Sequence, residues 1–199
     1  MLNHAAGQWD ATTRRLIDFT LGKQYDALST RTVHETRRHL IDTFASALGA
    51  YDEAVSTMAR AMAGRIHAER SARVWGTNLQ TSPELAAFAN STMTRALDVS
   101  DTYMGRSRGH PSDMTAGLIA LAEIGHADGK SLITAISLAY DIYCSFCRAI
   151  DINAKGWDQP VYAVLGCVLG AAKLLRLTAD QTGHALSDRK STRLNSSHT

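Results

Sequence analysis

The sequence predicts an all-α fold, and three observations lead to that prediction. Several segments rich in Ala and Leu repeat their apolar residues at helical spacing. Only 3 Pro occur among the 199 residues, and no segment shows the polar–apolar alternation of a strand above noise. Hydrophobic residues make up 45% and charged residues 20%, which is typical of a globular domain. We therefore expect about seven helices, joined by short loops, around one core.

Caps and apolar stripes place the first predicted helices. A short helix covers residues 14–21. A longer helix opens at a capping box formed by Thr32 and Glu35 and ends at Gly49. The next helix is predicted from a stripe that we expect to face the core, made of Val55, Met58, Ala59, Met62 and Ile66.

The middle of the chain combines a brief extended segment with a strong helix start. Residues 73–75 are predicted to be extended, before Gly76. Ser82 and Pro83 supply an N-cap hydroxyl and a proline at the first helical position, so a helix is expected to run from there to about Leu97.

The C-terminal half is predicted to hold the longest and most apolar helices. We expect helices at 114–124 and 132–150, and a turn at 156–160. Val161–Leu175 is apolar on nearly every face, which predicts a buried central helix. Its Gly166 and Gly170 form a GxxxG pattern that indicates close helix packing.

The end of the chain differs from the rest in composition and origin. Residues 188–198 read DRKSTRLNSSH, which matches the in-frame translation of a common sequencing-library adapter. We therefore expect 188–199 to be an artefactual tail and 1–187 to be part of a longer domain. A capping box at Thr178 and Gln181 agrees, because it opens a helix only roughly two turns before the tail.

Charge and cysteine content exclude several classes of partner. The net charge is +2, and the segment 188–199 holds three basic residues and one acidic residue. The remaining chain balances 18 basic against 18 acidic residues, so it lacks the basic footprint of a nucleic-acid-binding protein.

The 3 Cys suit a reducing compartment, and Met1–Asp10 has no signal-peptide pattern. The longest apolar stretch is shorter than the roughly 20 residues that span a membrane. We expect a cytoplasmic protein with neither a nucleic-acid nor a membrane partner.

A polar loop from Asp98 to Asp113 is the segment in which we expect chemistry. A connection of this length between two apolar helices is commonly functional or disordered. Gly105 and Gly109 are expected to let its backbone bend. Arg and Thr side chains can bind a polycarboxylate while a His transfers a proton near pH 7. The chemically active side chains are Asp98, Asp101, Thr102, Arg106, Arg108, His110 and Asp113.

The same loop is also compatible with a purely structural role. Asp98 or Asp101 could pair with Arg95 or Arg106 on the surface, and the residues before the next helix could cap it. Both interpretations stay open at this point.

The spacing of the cysteine and histidine residues does not favour a metal site or a redox site. Cys144 and Cys147 form a CxxC, but they lie inside an apolar helix without a second ligand pair, so core cysteines are the better interpretation. His34 and His39 are five residues apart and do not share a helical face as zinc ligands would. We therefore expect no metal site at these residues.

Several motifs resemble the MmgE/PrpD family, and they follow its order over nearly all of residues 10–187. LIDTFASALG at 40–49 resembles the family's LLDTLGVALAG, and ALDVSDT at 96–102 resembles ALDFDDT. GHPSD at 109–113 is followed by ALAE at 120–123, as in the family. VWG at 74–76, GWD at 156–158 and AAKLLRL at 171–177 also resemble family motifs.

The resemblance implies a fold, an oligomeric state and a class of reaction. The family includes 2-methylcitrate dehydratase, cis-aconitate decarboxylase and iminodisuccinate epimerase. Its members are homodimers of a large helical domain with a smaller α+β lid inserted later, and they use no metal or organic cofactor. This chain is then the N-terminal part of the helical domain. The lid and the catalytic lysines are expected downstream of residue 187.

The resemblance also implies roles for single residues. Active-site residues of the decarboxylase branch match Asp98, Thr102 and His110. We expect His110 to transfer the proton, Asp98 to orient it or share its proton, and Thr102 to bind a substrate carboxylate. The decarboxylase pattern has a His where this chain has Asp158, which favours the dehydratase branch. The further substrate-binding candidates are Asp101, Arg106, Arg108 and Asp158.

The resulting prediction is a fragment of a hydro-lyase that eliminates water from a small tricarboxylate, with 2-methylcitrate as the model. Without the downstream lysines, the fragment is expected to be inactive. Two other interpretations remain. The chain could be a non-catalytic helical module for dimerisation or partner binding. It could also have no function alone, because an all-round apolar helix at 161–175 must pack on every side.

Overall fold

The all-α prediction is confirmed by the structure, a computed structural model that describes residues 9–194 and the side chains of residues 9–187. Short 3-10 turns at Tyr25–Ala27, Pro111–Met114 and Asn153–Lys155 connect some of the helices. The described part of the chain contains eight α-helices: α1 (Ala11–Gly22), α2 (Thr30–Gly49), α3 (Ala54–Ala63), α4 (Pro83–Arg95), α5 (Thr115–Ile124), α6 (Gly129–Ala149), α7 (Pro160–Leu174) and α8 (Ala179–Leu194).

Two small antiparallel hairpins accompany the helices. Strands β1 (Ala72–Arg73) and β2 (Gln80–Thr81) pair around the turn that holds Gly76. Strands β3 (Tyr103–Met104) and β4 (Arg108–Gly109) pair within the polar loop. The sequence indicated neither pairing, because strands of two residues are too short to show an alternation.

Helix starts were predicted with mixed success. The predicted opening of α2 at Thr32 was wrong, since the helix begins two residues earlier and Ser29 is its N-cap, accepting from the Thr32 amide at 3.0 Å. The capping box of α8 is confirmed: Thr178 and Gln181 exchange side-chain to backbone hydrogen bonds of 2.9 and 3.3 Å. This helix continues to Leu194, and the boundary expected at residue 188 stays a prediction.

The closest helix packing lies between α6 and α7, as the GxxxG pattern predicted. A Cβ on Gly166 would lie 2.9 Å from the Ala139 carbonyl oxygen, and one on Gly170 would lie 2.8 Å from Leu118. Only glycine therefore allows α7 to approach α5 and α6 this closely.

The burial of α7 agrees with the prediction of a central helix. The residues Tyr162, Gly166 and Leu169 are buried, whereas Val164 and Val168 are only half-buried. Helices α1, α5, α6 and α8 all contact α7, and none of the residues 161–174 is exposed, so the predicted central helix is confirmed although several of its side chains are only partly buried.

The orientation of α3 also differs from the prediction. Ser56, Ala59 and Ala63 face the core, whereas Met58 is 70% exposed and Val55 and Met62 are about half exposed. The sequence could not distinguish the two faces, because both are apolar. Small side chains pack against α4 and the larger ones face outward, which reverses the expected stripe.

Cys144 and Cys147 are core residues, as expected, and neither forms a disulfide with a described residue. Cys147 is buried, and burial raises the pKa of the half-buried Cys144 thiol to about 12. Among the described side chains, no three His, Cys, Asp or Glu residues come together as a metal-binding group. Within residues 9–194, none of the helices combines the length and apolar character needed to cross a membrane.

Candidate active site

The polar loop is docked on the C-terminal end of α6 through Ser107. The Ser107 amide donates to the Cys147 carbonyl at 2.9 Å. Its hydroxyl donates to the Ile150 carbonyl at 2.7 Å and accepts from the Ile152 amide at 2.9 Å. Since Ser107 is buried, these bonds satisfy backbone groups that water does not reach. The loop between α4 and α5 is therefore held in place by a buried side chain.

Two glycines let the loop approach α6 closely. A Cβ on Gly105 would lie 2.7 Å from the Cys147 carbonyl oxygen. A Cβ on Gly109 would collide with the Tyr143 hydroxyl and with Gln159. The chain bends at residues 105–107, as expected for Gly105, whereas Gly109 lies in the extended strand β4.

The carboxylate of Asp101 joins three parts of the molecule. Its Oδ1 accepts from the Ser112 amide at 3.0 Å, and its Oδ2 accepts from the Tyr140 hydroxyl of α6 at 3.0 Å. The Nδ1 of His39, on α2, lies 3.4 Å from the same Oδ2. Only 11% of the Asp101 side chain is exposed. The loop, α2 and α6 therefore meet at this carboxylate.

The surroundings shift the pKa values of all three side chains. Burial alone would raise the pKa of Asp101, but hydrogen bonds from His39, Ser112 and Tyr140 lower it below its usual value. The hydrogen bond to Asp101 outweighs partial burial and raises the pKa of His39. Burial and the Asp101 charge raise the pKa of Tyr140. The arrangement favours an ionised Asp101 beside a protonated His39 and a neutral Tyr140.

His110 is oriented by the backbone of Asp101. Its Nδ1 lies 2.7 Å from the Asp101 carbonyl oxygen and 3.4 Å from Thr102 Oγ1. A carbonyl oxygen can only accept, so Nδ1 carries the hydrogen when the ring is neutral. The lone pair is then on Nε2, and His110 is half-buried. This arrangement presents one ring nitrogen that can accept a proton from a substrate.

Asp98 is exposed and pairs with Arg95. It has a positive φ of 53°, its side chain is 75% exposed, and its Oδ1 accepts from Arg95 at 2.8 Å. Of the alternatives left open by the sequence, the structure shows the pairing of Asp98 with Arg95. The role of Asp98 in proton transfer stays a prediction.

The remaining predicted substrate-binding residues are exposed. Arg106 lies in the turn between β3 and β4, and Arg108 lies in β4. Asp158 lies just before α7 and accepts from the Gln159 amide at 2.7 Å. Within the described part of the chain, no ion pair engages either arginine, and their role in substrate binding is still a prediction.

A second carboxylate, Asp113, lies on the other side of His110. Its Oδ2 accepts from the Gln159 side chain at 3.3 Å, and its Oδ1 lies 3.5 Å from Arg95 Nε. Burial raises the pKa of Asp113, although Gln159, Arg95 and His110 all oppose that shift. Gln159 also accepts a hydrogen bond from the Tyr143 hydroxyl, which links this carboxylate to α6.

Two open clefts border His39. One, of about 250 Å³, lies between α2 and α6 and includes Tyr140 in its lining. The other, of about 500 Å³, lies between α2 and the polar loop and includes Asp101 and Val99. The buried Asp101 network is thus one side-chain layer from solvent.

Sequence reasoning missed the residues that reach this loop from other elements. His39 was considered only as a zinc ligand, and Tyr140 was not named as a candidate. Ser107 and Gln159 showed no pattern of their own. The nearest signal was the pair of glycines flanking Ser107, which marks a place where backbones approach.

Comparisons with known proteins agree with this architecture. The family model for the MmgE/PrpD N-terminal domain matches residues 14–193. The chain is 31% identical to the 2-methylcitrate dehydratase of Cupriavidus necator over 176 residues, covering 82% of this chain and 36% of that protein. It is 26% identical to the 2-methylcitrate dehydratase of Escherichia coli K12, covering 94% of this chain and 40% of that protein.

A fungal relative extends the likeness. The mitochondrial 2-methylcitrate dehydratase of Yarrowia lipolytica is 23% identical, with 94% of this chain and 38% of that protein covered. The chain spans about two fifths of the length of these curated relatives. On the family match and the Cupriavidus relative together, the chain belongs to the MmgE/PrpD family and matches its N-terminal domain.

Proposed function

We propose that this chain carries the N-terminal part of the active site of a 2-methylcitrate dehydratase-like hydro-lyase. The observation that carries the proposal is the orientation of His110, whose Nδ1 bonds to the Asp101 carbonyl and whose Nε2 keeps its lone pair. Relatives named 2-methylcitrate dehydratase support the choice of a small tricarboxylate as substrate.

The elimination needs a base, a way to hold carboxylates and a stabiliser of negative charge. His110 Nε2 removes a proton from the carbon next to a substrate carboxylate. The carbon–oxygen bond of the neighbouring hydroxyl breaks as the carbon–carbon double bond forms, and the departing hydroxyl takes up the proton from His110 and leaves as water. Thr102, beside the His110 ring, donates to a substrate carboxylate. Arg106 and Arg108 supply positive charge near the developing carbanion, together with lysines expected downstream. In this proposal Asp98 orients His110 or shares its proton, and Asp158 contacts the substrate. Asp101 holds the His110 ring through its carbonyl.

The proposal includes the setting in which the enzyme works. The reaction needs no metal and no organic cofactor, because acid–base groups suffice for water elimination next to a carboxylate. We place the enzyme in the cytoplasm, with neither a nucleic-acid nor a membrane partner. The complete protein, with a lid and downstream lysines, is the active form, and the 199-residue chain alone is inactive.

The test compares variants of the complete gene product, whose coding sequence is first read across the codon for Ser187. Formation of the new carbon–carbon double bond from 2-methylcitrate is followed by ultraviolet absorbance. We expect His110→Ala to lower kcat by roughly 10²- to 10⁴-fold, the usual contribution of a positioned base. The control His34→Ala changes an exposed histidine of α2 and should leave turnover unchanged. Near-normal turnover of His110→Ala would refute the assignment.

The exposed face of α3 favours a second candidate, a helical dimerisation module, and it also supports a homodimer of the enzyme. Val55, Met58 and Met62 form an exposed apolar stripe. If two copies pack their α3 helices antiparallel with Val55 opposite Met62, Asp52 of one lies opposite Arg65 of the partner subunit. Both charged side chains are exposed. The twofold axis then passes close to Met58, and the stripe is self-complementary in shape and in charge.

Static light scattering tests this second candidate on the 199-residue chain. We expect a concentration-dependent dimer that Met58→Lys or Asp52→Arg weakens, and that the double variant Asp52→Arg with Arg65→Asp restores. The control Val99→Lys alters an equally exposed apolar residue elsewhere and should have no effect. A monodisperse monomer would contradict a dimer through α3, and open-ended aggregation would favour an incomplete domain.

A further inference from the structure

We propose that Asp101 and His39 are positioning residues that hold the His110 ring in the tautomer and orientation required for proton transfer. The inference rests on the proposed function only for the role of His110 in proton transfer. The placement of the ring rests on the contacts of Asp101, which acts on His110 through two different groups.

The first group is the Asp101 carbonyl, which accepts from His110 Nδ1 at 2.7 Å. The second is the carboxylate, which accepts from the Ser112 amide at 3.0 Å. Ser112 follows His110 by two residues, so Asp101 holds the ring of His110 and the backbone just beyond it. Because the carboxylate fixes the backbone at Ser112, it also fixes the distance between the His110 ring and the Asp101 carbonyl that accepts from it.

The carboxylate is itself held by two distant helices. Tyr140 donates from α6 at 3.0 Å, and His39 approaches from α2 at 3.4 Å. The rings of His39 and Tyr140 pack at a centroid distance of 4.9 Å, so the two donors also support each other. A mostly buried carboxylate that loses one such partner keeps a desolvated charge without full compensation.

His39 is the member of this set that faces solvent. It lines the cleft of about 500 Å³ that also includes Asp101. Without the His39 contact, the Asp101 carboxylate turns toward water in this cleft and releases the Ser112 amide. The backbone at residues 110–112 then moves away from the Asp101 carbonyl, and the neutral ring, which has lost the acceptor at Nδ1, returns toward the Nε2–H tautomer. In that tautomer Nε2 has no lone pair for a substrate proton.

Nuclear magnetic resonance of the 199-residue chain tests the inference without substrate. Long-range ¹H–¹⁵N correlations show which nitrogen of each neutral histidine ring carries the hydrogen. We expect His110 to be predominantly the Nδ1–H tautomer. Loss of one hydrogen bond to Asp101, in His39→Gln or Tyr140→Phe, should raise the ratio of Nε2–H to Nδ1–H by about fivefold. Asp101→Asn should raise it further.

The matched control is His34→Gln, on the same helix but with an exposed ring that contacts only its neighbour Glu35 among the described side chains. It should leave the tautomer of His110 unchanged. Circular dichroism identifies a variant that fails to fold. If Asp101→Asn unfolds, His39→Gln and Tyr140→Phe still decide the question, because each removes one donor to a retained carboxylate.

A His110 tautomer that stays the same in both folded variants would overturn the positioning role. A chain whose His110 is Nε2–H before any substitution would overturn it as well. Neither result requires turnover. An inactive complete enzyme whose His110 keeps the Nδ1–H tautomer would refute the proposed function alone.

Discussion

The two parts of the polar loop differ in how firmly the protein holds them. Around Asp101, Ser107 and His110, side chains and backbone bond to α2, α6 and the turn before α5. Asp98 and the arginines of the β3–β4 hairpin are exposed, and Asp98 is engaged only by its neighbour Arg95. His110, the proposed base, is therefore positioned in advance, whereas the proposed cationic groups Arg106 and Arg108 are not.

This difference matters for a reaction on a multiply charged acid. Proton transfer needs a ring held within a fraction of an ångström, and the buried Asp101 network supplies that order. Binding several carboxylates needs positive charge, which the exposed arginines offer without a fixed geometry. A segment that packs over these arginines, such as the expected lid, would fix the positions of their side chains.

Adding a methyl group at Gly109 should lower the stability of the protein most, because it disturbs the packing of the polar loop on α6. The new Cβ would collide with the Tyr143 hydroxyl and Gln159, so the hairpin would separate from α6. We expect Gly109→Ala to lower the free energy of unfolding by about 3 kcal/mol, measured by urea denaturation. The control Gly129→Ala, where a Cβ meets nothing within 4 Å, should be neutral or slightly stabilising. Equal stability of the two variants would refute the close approach.

Removing the Ser107 hydroxyl should have the next largest effect. Ser107→Ala leaves the Ile152 amide and the Ile150 carbonyl without their partner in a buried place. The expected loss is about 2 kcal/mol in the same denaturation experiment. Ser145→Ala, on the exposed side of α6, is the matched control and should change little. If Ser107→Ala loses no more stability than Ser145→Ala, the result would contradict the docking of the hairpin on α6.

The pH dependence of stability should report the His39–Asp101 pair. The pKa of His39 is raised in the folded state, so its contribution is complete below the unfolded pKa and is lost as the pH rises through the folded pKa. The pKa of Asp101 is lowered, so its contribution is present above the unfolded pKa and is lost as the pH falls through the folded pKa.

The His39 contribution should be below about 1 kcal/mol, because the pair is partly open to solvent. Urea denaturation between about pH 5 and pH 9 measures it. In His39→Gln the decline of stability above the unfolded pKa of His39 should vanish, while His34→Gln should keep it. An unchanged decline in His39→Gln would show that another group causes it.

Changing the exposed part should affect stability least. Arg106→Ala and Arg108→Ala should stay within about 0.5 kcal/mol of the unchanged chain, since both side chains are exposed and unpaired within the described residues. In the complete enzyme the same variants should raise KM for 2-methylcitrate more than they lower kcat. A large loss of stability in either variant would mean that the arginines are held as firmly as His110.

Much of the fold could be predicted because helices leave local signals in the sequence, such as apolar periodicity and capping residues. The apolar period located α2, α4, α5, α6 and α7, and the cap of α8 was identified from Thr178 and Gln181. Orientation was harder. The two faces of α3 are both apolar, so only packing against α4 decides that Ala59 is buried and Met58 is exposed.

The site was predicted in part for a similar reason. Its loop stands out as a polar stretch between apolar helices, so His110, Asp101 and Thr102 could be named. His39 and Tyr140 could not, since each belongs to a helix distant in sequence and meets Asp101 only after folding. Strands of two residues are too short to show a periodic pattern. The hairpin that contains Ser107 could therefore not be predicted, and neither could the bonds of Ser107 to the end of α6.

Amide hydrogen exchange across residues 98–113 tests the central contrast most directly. The Ser107 and Ser112 amides donate to Cys147 and to the Asp101 carboxylate, so we predict protection of roughly 100-fold or more. The Arg106 amide, at the hairpin tip, should exchange close to the rate of an unstructured chain. Uniformly fast exchange through the whole loop would contradict a base positioned in advance of the substrate.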